Sequence, residues 1–424
     1  MAFRQPEYEE LVRKLAEANS RMARLLESHI KLSTVRRRRS QSKVFSALQS
    51  VIKRAYHALR CSFSCTCPNR HGVNFQLLTP HLIPYVDIET LIQGLELKIS
   101  LNYDPDDVKG KGIHSGWIWE ELSLRIEEPS LQSSHKVRLP TATEKGSRRL
   151  MVAVSNTPQK SQGTVKPVDL VNLCRVLAQK GHKPTECCGY IVDPASKHQH
   201  RFAVYTLGSC NNTDGWSMVS LCELLDKGVF KDRKEGPQLP QQLLLAATVA
   251  SSILQLHGTP WMPTILTNKS IYFMQRNGTF NYDNVYVARK LPDVANTGPQ
   301  ELSEFESRAI KNPTIFAIGI LLIELILCES LENLHSSKSY DKGRPPAHPL
   351  LRPALVEDIL YQVECASTDQ YREAVKNCLR CNFTAHSHLD EERFREEVYT
   401  HIVAPLQDSV QAYQSLEPPN LSNQ

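Results

Sequence analysis

The stretch Asn312–Leu327 reads NPTIFAIGILLIELIL and leaves no polar face at helical spacing. A helix that is apolar all round has to be covered on every side. It is shorter than the ~20 residues that span a bilayer, and it carries Glu324. The segment therefore predicts a helix at the centre of a folded domain, with the rest of the chain packed around it.

The remaining sequence can supply that surround. Of 424 residues, 41% are hydrophobic and 22% charged, which is globular composition. No apolar run reaches the ~18–20 residues of a membrane span. The start, MAFRQPEYEE, lacks the apolar core of a secretory signal. The expectation is a protein of the cytoplasm or nucleus. Twelve scattered cysteines then read as thiols, not as a disulfide framework. The net charge of +5 hides an asymmetry. Residues 1–60 hold 14 Lys/Arg against 5 Asp/Glu, and the other 364 hold 36 against 40, so the basic character belongs to the N-terminal segment.

In that segment Tyr8, Leu11, Leu15, Ala18, Met22 and Leu25 fall on a 3,4 spacing, which predicts an amphipathic helix over 6–33. A second helix is expected over 41–60, with Val44, Leu48, Val51, Ala55 and Leu59 on one face. Arg36, Arg37, Arg38 and Arg39 lie between them. The simplest arrangement is a helical hairpin with a basic turn, its first stripe either pairing as a short coiled coil or packing on the next domain. Residues 61–208 have strand texture at Val73–Leu78, Leu95–Tyr103, Trp117–Ile126, Leu150–Val154, Cys188–Val192 and Arg201–Leu207. Residues 128–149 and 155–166 read as polar loops, and Pro167–Gln179 as a helix. From 209 the chain reads as mostly helical: Ser217–Leu225, Pro240–His257, Pro313–Cys328, Pro353–Ala366, Asp369–Arg380 and Asp390–Tyr413. A hairpin, Ile271–Gln275 with Asn284–Val287, turns at Arg276-Asn277-Gly278. Residues 416–424 read as a disordered tail.

The order of a strand-rich part with one helix, then a helical part with one hairpin, resembles a protein kinase. Ala250–His257 (ASSILQLH) is similar to the helix before the kinase catalytic loop, and Ser270–Met274 (SIYFM) to the strand after it. Thr314–Leu325 (TIFAIGILLIEL) resembles D-x-W-S-x-G-x-x-L-x-E-L at Gly319, Leu322, Glu324 and Leu325. Phosphoryl transfer requires an Asp base, an Asn and a D-F-G Asp for metal, and a Lys–Glu pair. Counted along the motifs, the base position falls on Ile265 and the Asn position on Ser270. Thr314 stands where the helix Asp belongs, and Ser155 replaces the Lys in Val152-Ala153-Val154-Ser155. The nearest acid to a D-F-G is Asp283, and the small-lobe helix offers only Asp169. The resemblance implies a pseudokinase: no catalytic residues, no cofactor and no bound metal, with a function in binding protein partners.

More narrowly, Cys65-Thr66-Cys67 with His71, Val168–Leu173, Cys188-Gly189-Tyr190, Leu256–Trp261, Tyr371–Leu379 and Phe394–Leu406 together resemble fungal kinase-like domains of unknown function. Such domains often follow HeLo-type helical domains in proteins of self/non-self recognition and programmed cell death. The first 60 residues here are shorter than a full HeLo bundle.

Several other constellations carry a chemical reading beside a plain one. His57, Cys61, Cys65, Cys67 and His71 are soft ligands within fifteen residues, able to hold zinc, although free cysteine is also a common buried hydrophobe. Cys378-x2-Cys381 with His386 and His388 has the same double reading. Gly110–Gly116 lies where a kinase covers phosphates, but its G-x-G-x-x-x-G spacing is one residue too long; Tyr205–Gly208 would be the linker segment of a nucleotide site. The arginine run could be a nuclear-import signal or attract anionic lipid, beside the plain reading of a solvated turn, with nucleic-acid binding not expected because no aromatics interleave with it.

The expectation is thus an α+β, two-lobed, protein-kinase-like fold preceded by an N-terminal helical hairpin. Its parts are a hairpin at 1–60, a β-rich small lobe at 61–208, a helical large lobe at 209–415 and a tail. Its function is that of an inactive protein-binding module, with a nucleotide- or zinc-binding protein reusing the fold as the alternative.

Overall fold

The computed structural model describes residues 5–65, 71–79, 88–103, 118–127, 169–178, 187–194, 201–211, 216–291, 310–336, 353–383 and 388–416. The expected strand Leu150–Val154, the loop Gly110–Gly116, Ser155, Cys67 and the tail from 417 lie outside these.

The chain begins with one continuous helix, α1 (Gln5–Cys61), where a hairpin was expected. No Gly or Pro interrupts residues 7–61, and arginine is a good helix former, so the run Arg36–Arg39 continues the helix instead of turning it. At 1.5 Å per residue α1 is about 85 Å long, and its two halves differ. From Gln41 onward it is embedded, and the predicted face of Val44, Leu48, Val51, Ala55 and Leu59 is buried. Its first half, Tyr8 to Leu26, lies in solvent.

All eight described strands form one antiparallel sheet: β1 (His71–Gln76), β2 (Glu96–Tyr103), β3 (Ile118–Glu127), β4 (Cys187–Val192), β5 (Arg201–Asn211), β6 (Ser217–Ser220), β7 (Ile271–Arg276) and β8 (Thr279–Leu291). Their order is β4-β5-β3-β2-β1-β8-β7-β6. The sheet crosses the boundary expected at 208/209, because β1 pairs with β2 on one side and with β8 on the other, with Val73 opposite Leu101 and Arg289. Val73 and Phe75 of this central strand are buried. The β7–β8 turn follows from Asn277-Gly278, both left-handed at φ 52° and 81°, the requirement of a two-residue hairpin loop. Ser217–Ser220, read as helix, pairs as a strand with β7.

The helices are α2 (Ile88–Gln93), α3 (Leu173–Ala178), α4 (Leu221–Asp226), α5 (Leu239–Leu256), α6 (Pro313–Leu327), α7 (Leu331–Ser336), α8 (Pro353–Ala366), α9 (Asp369–Arg380), α10 (Glu392–Val398) and α11 (Ala404–Leu416). A π-turn at Tyr399–Val403 joins the last two. By length and composition α5 is apolar enough to cross a membrane, against the expectation of no such run. However, 78% of its 18 residues are buried inside the fold, as a core helix requires.

The apolar helix α6 is central as expected. Asn312 caps it, its Oδ1 accepting from the Ile315 N–H at 3.0 Å, with Pro313 in the first turn. Its last residue gives way to Cys328 in the left-handed conformation. The α9 helix buries Tyr371, Ala374, Val375 and Cys378, one stripe at i, i+3, i+4 and i+7, against α6. The Tyr371 hydroxyl donates to the Leu322 carbonyl at 2.7 Å. Gly319 is what allows this approach, because a Cβ there would lie 2.9 Å from the Cys378 Cβ.

Candidate functional site

Two regions hold the residues with a candidate chemical reading, although neither a catalytic group nor a bound metal was expected, and the structure treats them differently. The first is the region of the kinase-like motifs. Ile265 and Ser270 both lie in the loop between α5 and β7, and Ser270 donates its backbone N–H to Thr267 at 2.8 Å in a local turn. Asp283 is exposed on β8, and its closest hydrogen-bond donor is Gln241 at 3.5 Å. Asp169 sits outside the small helix, 4.0 Å from Arg201. The helix α3 starts only at Leu173, after Asn172 accepts from the Arg175 N–H at 3.1 Å. Tyr205–Gly208, proposed as a linker, belongs to β5 and is paired along β3, with Tyr205 also opposite Cys187 of β4. Its backbone is committed to the sheet.

The acid that matters structurally here is Glu324. It is buried on α6, and its two oxygens accept from the Asn268 side chain at 3.1 Å each. Its Oε1 also accepts from the Leu331 backbone N–H at 2.9 Å. Glu324 thereby ties the loop before β7 and the start of α7 to the central helix. Burial pushes its carboxyl up to about 7, against the pull of the Leu331 and Asn268 donors. A raised carboxyl binds its proton more tightly folded than unfolded, so stability falls as pH rises from about 4.5 to about 7 and is flat above. The full range corresponds to at most ~3 kcal/mol. A Glu324→Gln variant is expected to lose that slope in denaturant titrations across this window. An unchanged slope would show that another group sets it.

The second place is the cysteine–histidine region. Of the five candidate ligands, the structure brings together Cys65 and His71, with the Cys65 Sγ 3.0 Å from the His71 Nε2. It adds Cys174, and the three ligand atoms lie within 4.8 Å of one another. His57 and Cys61 stand apart from this group on α1, and Cys67 is outside the described residues. Cys174 lies far along the chain, so spacing could not have found it. The only sequence signal was its place in the expected small-lobe helix. At Cys378-x2-Cys381, Cys378 is core packing against Gly319, and Cys381 caps α9 in the left-handed conformation. His386 lies outside the described residues, and among those described no metal-like group forms there.

The meeting of the three residues follows from backbone pairing. Phe63 bridges Asn172, the Leu173 N–H donates to the Ser62 carbonyl at 2.8 Å, and the Ser64 hydroxyl donates to the Val171 carbonyl at 2.7 Å. That holds residues 62–65 beside 171–174. His71 opens β1 next to them, its ring 5.2 Å from that of Phe63. A pocket of about 270 Å³ lies alongside, lined by Ala58, Cys61, Asp169, Tyr190 and Arg201 among others. This is below the ~300–1,000 Å³ of small-molecule sites.

The described fold is thus a mixed α+β protein with one antiparallel sheet and a helical body. The chain belongs to the family described as a domain of unknown function, DUF7580, which matches residues 42–413. The match begins where α1 enters the core. No curated protein matches the chain. Among solved structures, a chain of the complex of Neurospora crassa PAN2 (WD40-CS1) with PAN3 (pseudokinase and C-term) is similar at 11% identity. The similarity covers 86% of this chain and 70% of that one, with a TM-score of 0.26, which is too low to carry an argument about fold.

Proposed function

We propose that the protein is a catalytically inactive, kinase-like scaffold that acts by binding protein, that its docking element is the Tyr8–Leu26 half of α1, and that the partner on this element is a second copy of the chain. The observation that carries the docking element is an apolar stripe left open to solvent. Tyr8, Leu11, Leu15, Met22 and Leu25 are 60–71% exposed, and Val12 and Leu26 widen the stripe on one flank. Soluble proteins rarely leave a contiguous stripe of this kind unpartnered. The spacing is that of a coiled-coil seam, with Ala18 giving a close approach at its middle.

Charge and area both fit a second copy. The cations beside the seam, Lys14 and Arg21, are paired on their own helix with Glu10 at 3.0 Å and Glu17 at 2.6 Å, so no like-charge repulsion faces a second helix. The seven apolar side chains offer roughly 600 Å² per helix, approaching the ~800 Å² per partner of a standard interface. Support for inactivity comes from the residue types at the motif positions, Ile265, Ser270 and Thr314, and from the use of Glu324 as an internal tie. Support for the kinase likeness is the sequence motifs together with the order α5, hairpin, α6.

Light scattering on the full chain is expected to give a dimer, and a Leu15→Glu/Leu25→Glu variant a monomer with an unchanged melting midpoint of the body. A wild-type monomer at tens of micromolar, or a double variant that stays dimeric, defeats the docking reading. Metal-dependent, saturable phosphotransfer by the purified protein defeats the inactive one.

A further inference from the structure

We infer that Cys65, His71 and Cys174 hold a zinc ion, its fourth tetrahedral position left to water, that clamps the C-terminal end of α1 to the sheet and to α3.

The geometry fits a metal. Bond lengths of ~2.3 Å to sulfur and ~2.0 Å to imidazole nitrogen put ligand atoms roughly 3.5 Å apart around a tetrahedral ion. The three ligand atoms lie within 4.8 Å of each other, the closest pair at 3.0 Å. Small side-chain rotations therefore suffice to centre an ion between them. The backbone carrying Cys65 and Cys174 is already fixed by the Phe63–Asn172 bridge and the hydrogen bonds around it, and that of His71 by its pairing with Leu291 of β8, so binding need not order the site.

The electrostatics fit as well. His71 and Cys174 are buried, and Cys65 is half-buried. Two thiolates and a neutral imidazole balance a divalent cation, so the loaded site carries no net charge into a low-dielectric setting. Sulfur and imidazole donors select a borderline-soft ion with tetrahedral preference, which is zinc, over magnesium or calcium, which take oxygen. In the metal-free form the Cys174 thiol donates to the Asn172 Oδ1 at 3.1 Å. Metal would replace that proton, and Asn172 would keep the Arg175 N–H as its donor.

The ligands come from three separate stretches: the turn after α1, the first residue of β1 and the first turn of α3. An ion here cross-links them, as structural zinc does in small domains. It also anchors the base of the helix whose other half projects. This inference rests on neither the dimer nor the kinase reading.

The test uses the untagged full chain purified under reducing conditions without added metal. Elemental analysis is expected to find about one zinc per chain, falling to background in Cys65→Ser and Cys174→Ser. Should those variants fail to fold, the wild-type protein itself gives the answer. Stripping it with a chelator is expected to lower the melting midpoint by several degrees, with recovery on adding zinc. Loading the stripped protein with cobalt(II) is expected to produce intense tetrahedral ligand-field bands and a thiolate charge-transfer band. Zinc retention is expected to fall with pH, because the ligands must be deprotonated. The inference is overturned by wild-type protein that holds no zinc and gives no such cobalt spectrum. It is equally overturned by cysteine variants that keep full zinc, or by peptide mapping that finds a Cys65–Cys174 disulfide.

Discussion

Trp261→Ala is expected to be among the most damaging single changes, costing about 3–5 kcal/mol. Trp261 has no exposed surface. Its indole stacks on Phe75 of β1 at 5.0 Å and meets Tyr56 of α1 edge-on at 5.0 Å. One side chain thus fills the space where the embedded half of α1, the central strand and the segment after α5 converge. Truncation leaves a cavity that two aromatic rings on different elements cannot both collapse into. The indole N–H is buried with no hydrogen-bond partner among the described residues. Trp261→Phe removes that unmet donor while keeping most of the ring, so it should cost far less than alanine. Denaturant midpoints of the two variants check this directly. Equal losses for Phe and Ala would mean that the site does not work by ring packing.

Gly319→Val is expected to destabilise by about 3 kcal/mol or more, at the upper end for overpacked cores. Even a single methyl at this position would sit 2.9 Å from the Cys378 Cβ and 3.0 Å from the Leu379 Cδ2. Cys378 is fully buried in α9 and has no other direction in which to yield, because Tyr371 holds α9 to α6 through the Leu322 carbonyl. Gly319→Ala should fall between wild type and valine. It gains up to ~1 kcal/mol of helix propensity while forcing the two helices apart by a few tenths of an ångström. A valine variant with the wild-type midpoint would show that α9 is free to shift.

These two residues also show what could be read in advance. Gly319 stood out because it fell on a glycine of the motif that the α6 segment resembles, and the structure supplies the reason, a close helix–helix contact. Trp261 ends the segment Leu256–Trp261 that resembles the fungal kinase-like domains, but nothing in its neighbours named Tyr56 and Phe75 as its partners. The helices α8 and α9 and the strands β2 and β3 matched or nearly matched their expected ranges, because each has a regular period and a clear boundary residue such as Pro353 or Thr368. At the end of the helical region the pattern predicts one helix over 390–413. It is interrupted by the π-turn at Tyr399–Val403, a register shift with no signature at this level of pattern. At the candidate metal site Cys65 and His71 were legible from proximity, whereas Cys174 was not, because its approach depends on the pairing of residues 62–65 with 171–174.

Periodicity along the chain determined most of the helices and strands, though not the strand Ser217–Ser220 or the unbroken run of α1, and which face of each seeks burial, since those depend on neighbours within a few residues. It therefore specified the central apolar helix and both stripes of α1. Only the tertiary structure decided which stripe was covered. Val44 to Leu59 meet the core, while Tyr8 to Leu26 extend beyond it, a distinction set by where the body ends, not by the pattern itself. The same holds for the continuous eight-stranded sheet and for the meeting of Cys65, His71 and Cys174. Both arise from hydrogen bonds between segments remote in sequence, for which the chain carries no local mark.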